Sequence, residues 1–424
     1  MHFLGSNCAG WALCLSLTIW GATTSAIPRR AFHQPIARQD SEIESIIAES
    51  PLLTLHRDLV EIESISDDEG DVGEWLAEYL EDHDFTVDLI EVPVPGNSSV
   101  ERWNLYATQD ASVTPRVILT THLDVVAPHI PYSASYSNSS DSRDDIMLQG
   151  RGSVDAKCNV AAQTIAAIEL LESGDVSAGE VALLFVVGEE NSGAGMMAFS
   201  NSSLYANMSD TIQGFIFGEP TEGKLGAGHK GVAGLLITAN GTTAHSAYPW
   251  NGDSAITKIL PALLAVDGLD SLTPEEGGLP GSEKFGNSTT NIGVLEAGTA
   301  PNVVPGYAMA RASIRVAGGT PEEFEAAIEA RIAEYYEGEI PVQFNFTWSA
   351  GPVDLVSDVE GFEPIILNYA TDILGLDYGD DIKVYLYGPG TIEVAHGVDE
   401  FVRLGDLEKA VEDFKLLVAD VLGS

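Results

Sequence analysis

The chain has 424 residues, 45% hydrophobic and 20% charged, a balance that excludes a disordered segment and leaves room for a main core and a second domain. Its formal net charge of −44 argues against nucleic-acid phosphates and anionic membrane surfaces as partners. Such an excess of carboxylates suits acidic surroundings, where part of it is neutralised.

Residues 1–26 read as a secretory leader. The apolar stretch Trp11–Ala22 is too short for a membrane span and closes on the small residues Thr23–Ala26, although no Lys or Arg precedes it. Arg29-Arg30 then offers a processing site, which makes residues 27–41 a propeptide. No later segment is long and apolar enough to cross a bilayer, so no membrane partner is expected. Asn-x-Ser/Thr sequons begin at Asn97, Asn138, Asn201, Asn207, Asn240, Asn287 and Asn345, which fits glycosylated surface loops. Cys8 and Cys14 leave with the leader, and Cys158 alone cannot form a disulfide within the mature chain. The expected location is extracellular.

From Ser41 to Leu80 the apolar spacing is helical (Ile46, Leu52, Leu55, Leu59, Ile62, then Val72, Trp75, Leu76, Tyr79). Phe85 to Val92 and Trp103 to Ala107 read as strands. Val117 to Thr120 is a short buried strand running into Thr121-His-Leu-Asp-Val-Val126, and Pro131 to Asp145 reads as a polar loop. A helix is expected over Val160 to Leu171. Val181 to Val187 is apolar without a break, the pattern of a strand covered on both faces, and ends in Gly188-Glu189-Glu190. Gly214 to Glu219 is a second such strand ending in an acid. Strands alternating with helices, with acids or His at the strand ends, indicate a mixed, mostly parallel α/β sheet flanked by helices.

The texture changes after Gly231. Strands are expected at Val232–Thr238, Thr290–Leu295, Tyr307–Val316 and Val342–Trp348, the last with alternating Val342, Phe344 and Phe346. Helices are expected at Ser254–Leu269 and Glu322–Tyr336, the second opened by Thr320-Pro-Glu-Glu323. The order β-α-β-β-α-β is the ferredoxin-like arrangement. It makes residues 231–349 an inserted α+β lid or dimerisation domain and leaves 42–230 and 350–424 as a discontinuous catalytic domain. The remainder reads as a helix at Glu363–Leu374, a strand at Lys383–Tyr387, the turn Gly388-Pro-Gly390, His396 and a last helix from Asp406.

Both glutamates after the Val181–Val187 strand serve one site only if the chain turns at Gly188, because successive strand residues face opposite ways. His122-x-Asp124 follows a buried strand, so Asp124 is placed to orient the His122 ring. Singly these signals are weak: Asp155 fits an N-cap, Glu219 a turn acid, and His396 a surface histidine. Together they are two His, one Asp and two or three Glu at separate strand ends of one sheet. Imidazole with carboxylate suits zinc, a shared carboxylate can hold two metals, and a spare glutamate supplies a base.

In its ordered blocks THLDVV, GRGSVDAK, VVGEE, GEPT, AHSAYP, APNVVP and GPGTIEVAHGVDE the chain resembles the M20 family of co-catalytic zinc metallopeptidases and amidohydrolases, from about Ile46 to the C-terminus. That family includes glutamate carboxypeptidase, aminoacylase-1, acetylornithine deacetylase and succinyl-diaminopimelate desuccinylase, on a zinc-exopeptidase-like fold. The resemblance implies two zinc ions per subunit bridged by Asp155. His122 and Glu219 would complete one, and Glu190 and His396 the other. Glu189 would be the base acting on the water between the metals, and Asp124 would support His122. His245 would reach toward the substrate, often from a partner subunit, and a homodimer through the insert is family-typical. Asn302 and Arg315 would hold the substrate, Arg315 by its free carboxylate, and Gly390 would line the pocket by its backbone. The bond after Asp155 is expected to be cis. Cys158 stands where the family usually has Gly, Ala156 replaces a larger residue, and Ser313 stands where Asp is common, which puts the support of Arg315 in doubt.

A Glu at position 219 goes, in that family, with carboxypeptidases and acylases. The implied activity is therefore a secreted zinc carboxypeptidase that cleaves the amide next to a free C-terminal carboxylate. The alternative of the same chemistry is an N-acyl-amino-acid amidohydrolase. A non-catalytic binding protein on the same fold is a third reading, against which the complete ligand set and Glu189 argue.

Overall fold

The computed structural model describes residues 36–94, 96, 100–137 and 139–423. The leader, most of the expected propeptide, Asn97 and Asn138 lie outside them. Residues Met1–Glu42 form one unit, described from Ile36 as the start of helix α1 (Ile36–Ala48); Ile43–Ser424 is the other.

In the second unit, α2 (Pro51–Glu61) is opened by Ser50, whose side chain accepts from the Leu53 N–H, and by proline in its first turn. After α3 (Gly70–Glu81) come β1 (Thr86–Glu91), β2 (Trp103–Thr108) and β3 (Val117–His122), then α4 (Lys157–Ser173), β4 (Val181–Val186) and β5 (Gly214–Gly218). Residues 231–350 carry β6 (Gly231–Asn240), α5 (Ala255–Asp267), β7 (Thr289–Ala297), β8 (Tyr307–Val316), α6 (Pro321–Glu334) and β9 (Val342–Ala350), the elements of the expected insert. The chain then supplies β10 (Lys383–Tyr387) and α7 (Leu404–Leu422).

Six strands form the central sheet in the order β1-β2-β4-β3-β5-β10, and β4, β3, β5 and β10 are mutually parallel. Every residue of β3, β4 and β5 is buried, as an inner position with helices on both faces requires. One face packs Leu119, Leu183 and Phe185 with α2, α4 and α7; the other packs Ile118, Leu184 and Val186 with Met196, Phe199 and Tyr205. The carboxyl ends of the four parallel strands therefore share one edge, where open α/β sheets bind ligands.

The inserted sheet has the order β7-β8-β6-β9, antiparallel throughout, which is the ferredoxin-like order. Leu235, Ile237, Ala310 and Ile314 make a separate core with Ile259, Phe324 and Ile328. Thr320 and Glu323 form the capping box of α6.

Two expectations are overturned. Glu363–Leu374 is not a helix: Pro364–Leu367 is a strand pairing in parallel with Leu225–His229, and Asp372–Gly375 is a short 3-10 turn. The run Ile365-Ile366-Leu367 is too short for periodicity to separate strand from helix, and a free sheet edge decides the matter. Within the supposed loop Pro131–Asp145, Ser133–Tyr136 forms a strand that pairs with Ile146–Gln149, which in turn pairs with Phe401–Arg403. Among the described residues no helix is long and apolar enough to cross a membrane. Asn201, Asn207, Asn240, Asn287 and Asn345 are all exposed.

Candidate active site

Four strand ends deliver the acids and histidines to one place. His122 is the last residue of β3, Glu219 follows β5 directly, and His396 comes after β10 in the left-handed backbone region (φ 62°). Gly188, at φ 74°, turns the chain after β4, so Glu189 and Glu190 leave the strand together rather than on opposite faces. Asp155 lies two residues before α4, and its bond to Ala156 is cis.

The five expected ligands fall into two groups sharing one residue: His122, Asp155 and Glu219, and Asp155, Glu190 and His396. Within each, one donor atom per residue lies within 4.8 Å of the others. The Asp155 carboxylate divides between them, Oδ1 at 3.1 Å from His122 Nε2 and Oδ2 at 3.3 Å from His396 Nε2. Glu219 Oε1 is 3.8 Å from His122 Nε2, and Glu190 Oε2 is 3.0 Å from His396 Nε2. His122 Nδ1 lies 2.9 Å from the Asp124 carbonyl, which can only accept, so the ring donates there. In the neutral ring the Nε2 lone pair then points at carboxylate lone pairs, an arrangement that needs a cation between them. Two imidazoles and the carboxylates of Glu190 and Glu219 around a divided Asp155 fit a pair of divalent ions.

The electrostatics say the same of charge. Burial pushes the carboxyl groups of Glu189, Glu190 and Glu219 above their ordinary range. Burial also opposes ionisation of Asp155, but its bonds to His122 and His396 outweigh that and hold it well below the usual carboxylate range. Hydrogen bonds to Asp155 and Glu190 raise His396 to about 10. Burial works against charge on His122, and the acids around it more than compensate. So many buried carboxylates in one place favour a site that divalent ions neutralise.

Asp124 supports the site differently from the expectation. Its carboxylate is 3.7 Å from His122 Nδ1, and the ring is held by its backbone carbonyl instead. The carboxylate accepts from the Glu189 N–H (3.0 Å) at Oδ1, and from the Glu190 N–H (3.1 Å) and Ser66 Oγ (2.7 Å) at Oδ2. It thus fixes the turn carrying both glutamates. Arg102, buried with Glu69 as its partner, packs beneath Gly188. Sequence reasoning also missed Glu400, whose carboxylate accepts from the Val154 and Asp155 N–H groups and pairs with buried Arg151 at 2.6 Å. Both residues sit inside the motif blocks, Arg151 in GRGSVDAK and Glu400 four residues after His396, and that proximity was the available signal.

A cavity of about 370 Å³ opens beside the two groups, with Glu189, Glu219 and His396 on its catalytic side. Its roof is the face of the inserted sheet turned away from α5 and α6, with Arg315 upon it. Burial lowers the Arg315 pKa, and the charge of Glu189 acts to raise it. Ser313 also lines the cavity. Asp372, on the far wall, is raised to about 7 by burial and then by neighbouring acids, with His122 opposing. Gly390 is not among the lining residues; its carbonyl accepts from the Glu222 N–H, and Ile392 and His396 line the wall there. His245 and Asn302 are exposed and do not line this cavity within one chain; they lie side by side, the Ser246 N–H donating to the Asn302 carbonyl. Cys158 is fully buried and donates to the Val154 carbonyl, a packing role.

Residues 227–339 match the family model of the M20 peptidase dimerisation domain. A probable carboxypeptidase of Paracoccidioides lutzii is 47% identical over 405 residues, which cover 93% of this chain and 91% of that one. An M20 family metallo-carboxypeptidase from Sulfolobus solfataricus has the same fold at a TM-score of 0.62 and 16% identity, over 87% of this chain and 98% of the other. A dinuclear metal-binding M20 peptidase from Bacillus subtilis aligns at a TM-score of 0.52 and 16% identity, over 89% and 98%. The chain belongs to the M20 family of metallopeptidases, hydrolases of peptide bonds.

Proposed function

We propose that this protein is a secreted, zinc-dependent carboxypeptidase that removes C-terminal residues from peptides. The observation that carries the reading is the division of Asp155 between two ligand groups, with Glu189 beside them and Arg315 facing Glu189 across one cavity. The name of the relatives at 47% identity supports the direction of cleavage.

His122, Asp155 and Glu219 would hold one zinc ion, and Asp155, Glu190 and His396 the other. Bound there, the ions would polarise the scissile carbonyl and make water acidic enough to attack near neutral pH. Arg315 clamps the free carboxylate with its planar fork, which sets the register of the C-terminal amide over the floor. Glu189 takes a proton from the attacking water at a carboxylate oxygen and passes it to the leaving amine. A carboxyl whose pKa is raised by burial holds that proton between the two steps. Asp124 keeps Glu189 in place through its backbone N–H.

A mixed peptide library, digested with and without chelator and read by mass, tests the reading. The expected result is stepwise loss of C-terminal residues that stops with chelator and in Glu189→Gln. Release from the N-terminus, or chelator-resistant release, overturns it. Cleavage of N-acetyl amino acids in preference to N-blocked dipeptides would make the enzyme an acylase. Secretion rests on the leader and the five exposed sequons, and an N-terminus found between residues 27 and 42 in protein from culture medium is its test. The dimerisation-domain match supports a homodimer through residues 231–349, to be checked by solution mass.

A further inference from the structure

Strand β9 lies at one edge of the inserted sheet, against β6. Its first residues alternate as a half-buried strand should: Val342, Phe344 and Phe346 pack toward α5 and α6 with Leu235, Ile237 and Ala239. Carried on by twos, that alternation would turn Trp348 to the same helix-packed face. The register does otherwise. Phe346 pairs with Leu235, and the next pair is Trp348 with Gly234. Thr347 is therefore an extra residue, a β-bulge, and one extra residue reverses the facing of those after it. Gly234 makes room for it, since a Cβ there would collide with the Thr347 hydroxyl. Trp348 consequently lines the cavity and is 45% exposed.

On that face the cross-strand row Ser313–Gly234–Trp348 runs from small to absent to large. Arg315 stands on the same face, two residues along β8 from Ser313. Two strand spacings and two residues put the Arg315 and Trp348 backbones roughly 12 Å apart, a gap that the two long side chains and one substrate residue between them can fill. Met197 and Leu374 bring apolar surface to the opposite wall.

We propose that Trp348 is a specificity-determining residue: it roofs a subsite for a large apolar or aromatic side chain on the substrate's C-terminal residue, the residue whose carboxylate Arg315 holds. The inference rests on the carboxypeptidase reading. Acidic side chains are disfavoured there, because Glu189 and Asp372 line the same cavity.

The test uses zinc-loaded enzyme and N-blocked dipeptides alike except for C-terminal Phe, Leu, Ala, Lys or Glu. Covering the open half of an indole is worth about tenfold in kcat/KM, so wild type should favour Phe over Ala by at least that factor. Trp348→Ala should reduce the Phe-to-Ala ratio about tenfold, chiefly through KM, and Trp348→Phe should keep most of it. Unfolding midpoints accompany each variant; should Trp348→Ala not fold, Trp348→Leu must show an intermediate ratio. An unchanged ratio, or an equal fall on all five substrates, overturns the proposal. Wild type that releases all five residues equally also overturns it and leaves the carboxypeptidase reading intact; wild type that releases none of them defeats that reading instead.

Discussion

Asp124→Asn separates two roles that one residue could play. The aspartate is fully buried, and its two oxygens receive the N–H groups of Glu189 and Glu190 and the Ser66 hydroxyl. Asparagine offers a single oxygen, so its NH₂ must face one backbone N–H. One charge-assisted hydrogen bond is lost and one buried donor is stranded, together about 3–5 kcal/mol of stability. The His122 ring is held by the backbone carbonyl of residue 124, which asparagine keeps. The variant should therefore retain its metal content while the glutamate turn shifts, and a displacement of about 1 Å costs about 100-fold in rate. Urea unfolding in chelator gives the stability, metal analysis the stoichiometry, and kcat/KM on an N-blocked dipeptide the rate. A variant within about 1 kcal/mol of wild type and within about threefold in rate would refute the turn argument, since neither hydrogen-bond cost in that range would have been incurred. Loss of metal in step with rate would refute it another way, returning Asp124 to the role of orienting His122.

The other expectations concern metal, pH and the substrate carboxylate. Asp155→Asn removes the only residue common to both ligand groups, and metal content should fall from about two ions per chain to below one. A single-ion loss would assign the two groups independent sites. His56 and His229 are buried and depressed to about 4, mainly by desolvation. Each is neutral in the fold and charged when unfolded below its ordinary value of 6.5, so stability is lost as pH falls from there toward 4, about 2 kcal/mol for each at pH 5. His229→Gln should flatten that part of the stability curve, and a parallel curve would count against the argument. Arg315→Met should raise KM for free-carboxylate substrates about 30-fold or more and abolish discrimination against C-terminal amides.

What could be read from the chain divides along physical lines. Buried strands ending in acids or His are local signals, and Val181–Glu190 carries its strand, its turn and its two glutamates in ten consecutive residues. Four of the five candidate ligands, His122, Glu190, Glu219 and His396, converge because parallel strands send their carboxyl ends to one edge, a rule of topology that needs no side-chain detail, while Asp155 comes from the turn before α4. The support of those ligands was not legible, because it runs through backbone atoms: the Asp124 carbonyl, the glutamate N–H groups, and the Asp155 N–H received by Glu400. Residues 363–374 failed for another reason. Three apolar residues suit a strand or one face of a helix equally, and the partner Leu225–His229 is more than a hundred residues away.

Trp348 shows the limit of periodicity more sharply. Val342, Phe344 and Phe346 specify which face of β9 is buried, and nothing in those residues announces that Thr347 will be left over. The information sits on the partner strand, in Gly234, whose missing side chain gives the bulge its space. A glycine inside an otherwise apolar strand is a recognised sign of a bulge or a close backbone approach. Here it governs both sides of the cavity roof at once, since Gly234 pairs with Ser313 on one flank and Trp348 on the other. The chemistry on the floor is set by where parallel strands end. What the roof admits is set by one extra residue in an edge strand, so specificity can change in this fold without touching a ligand or the base.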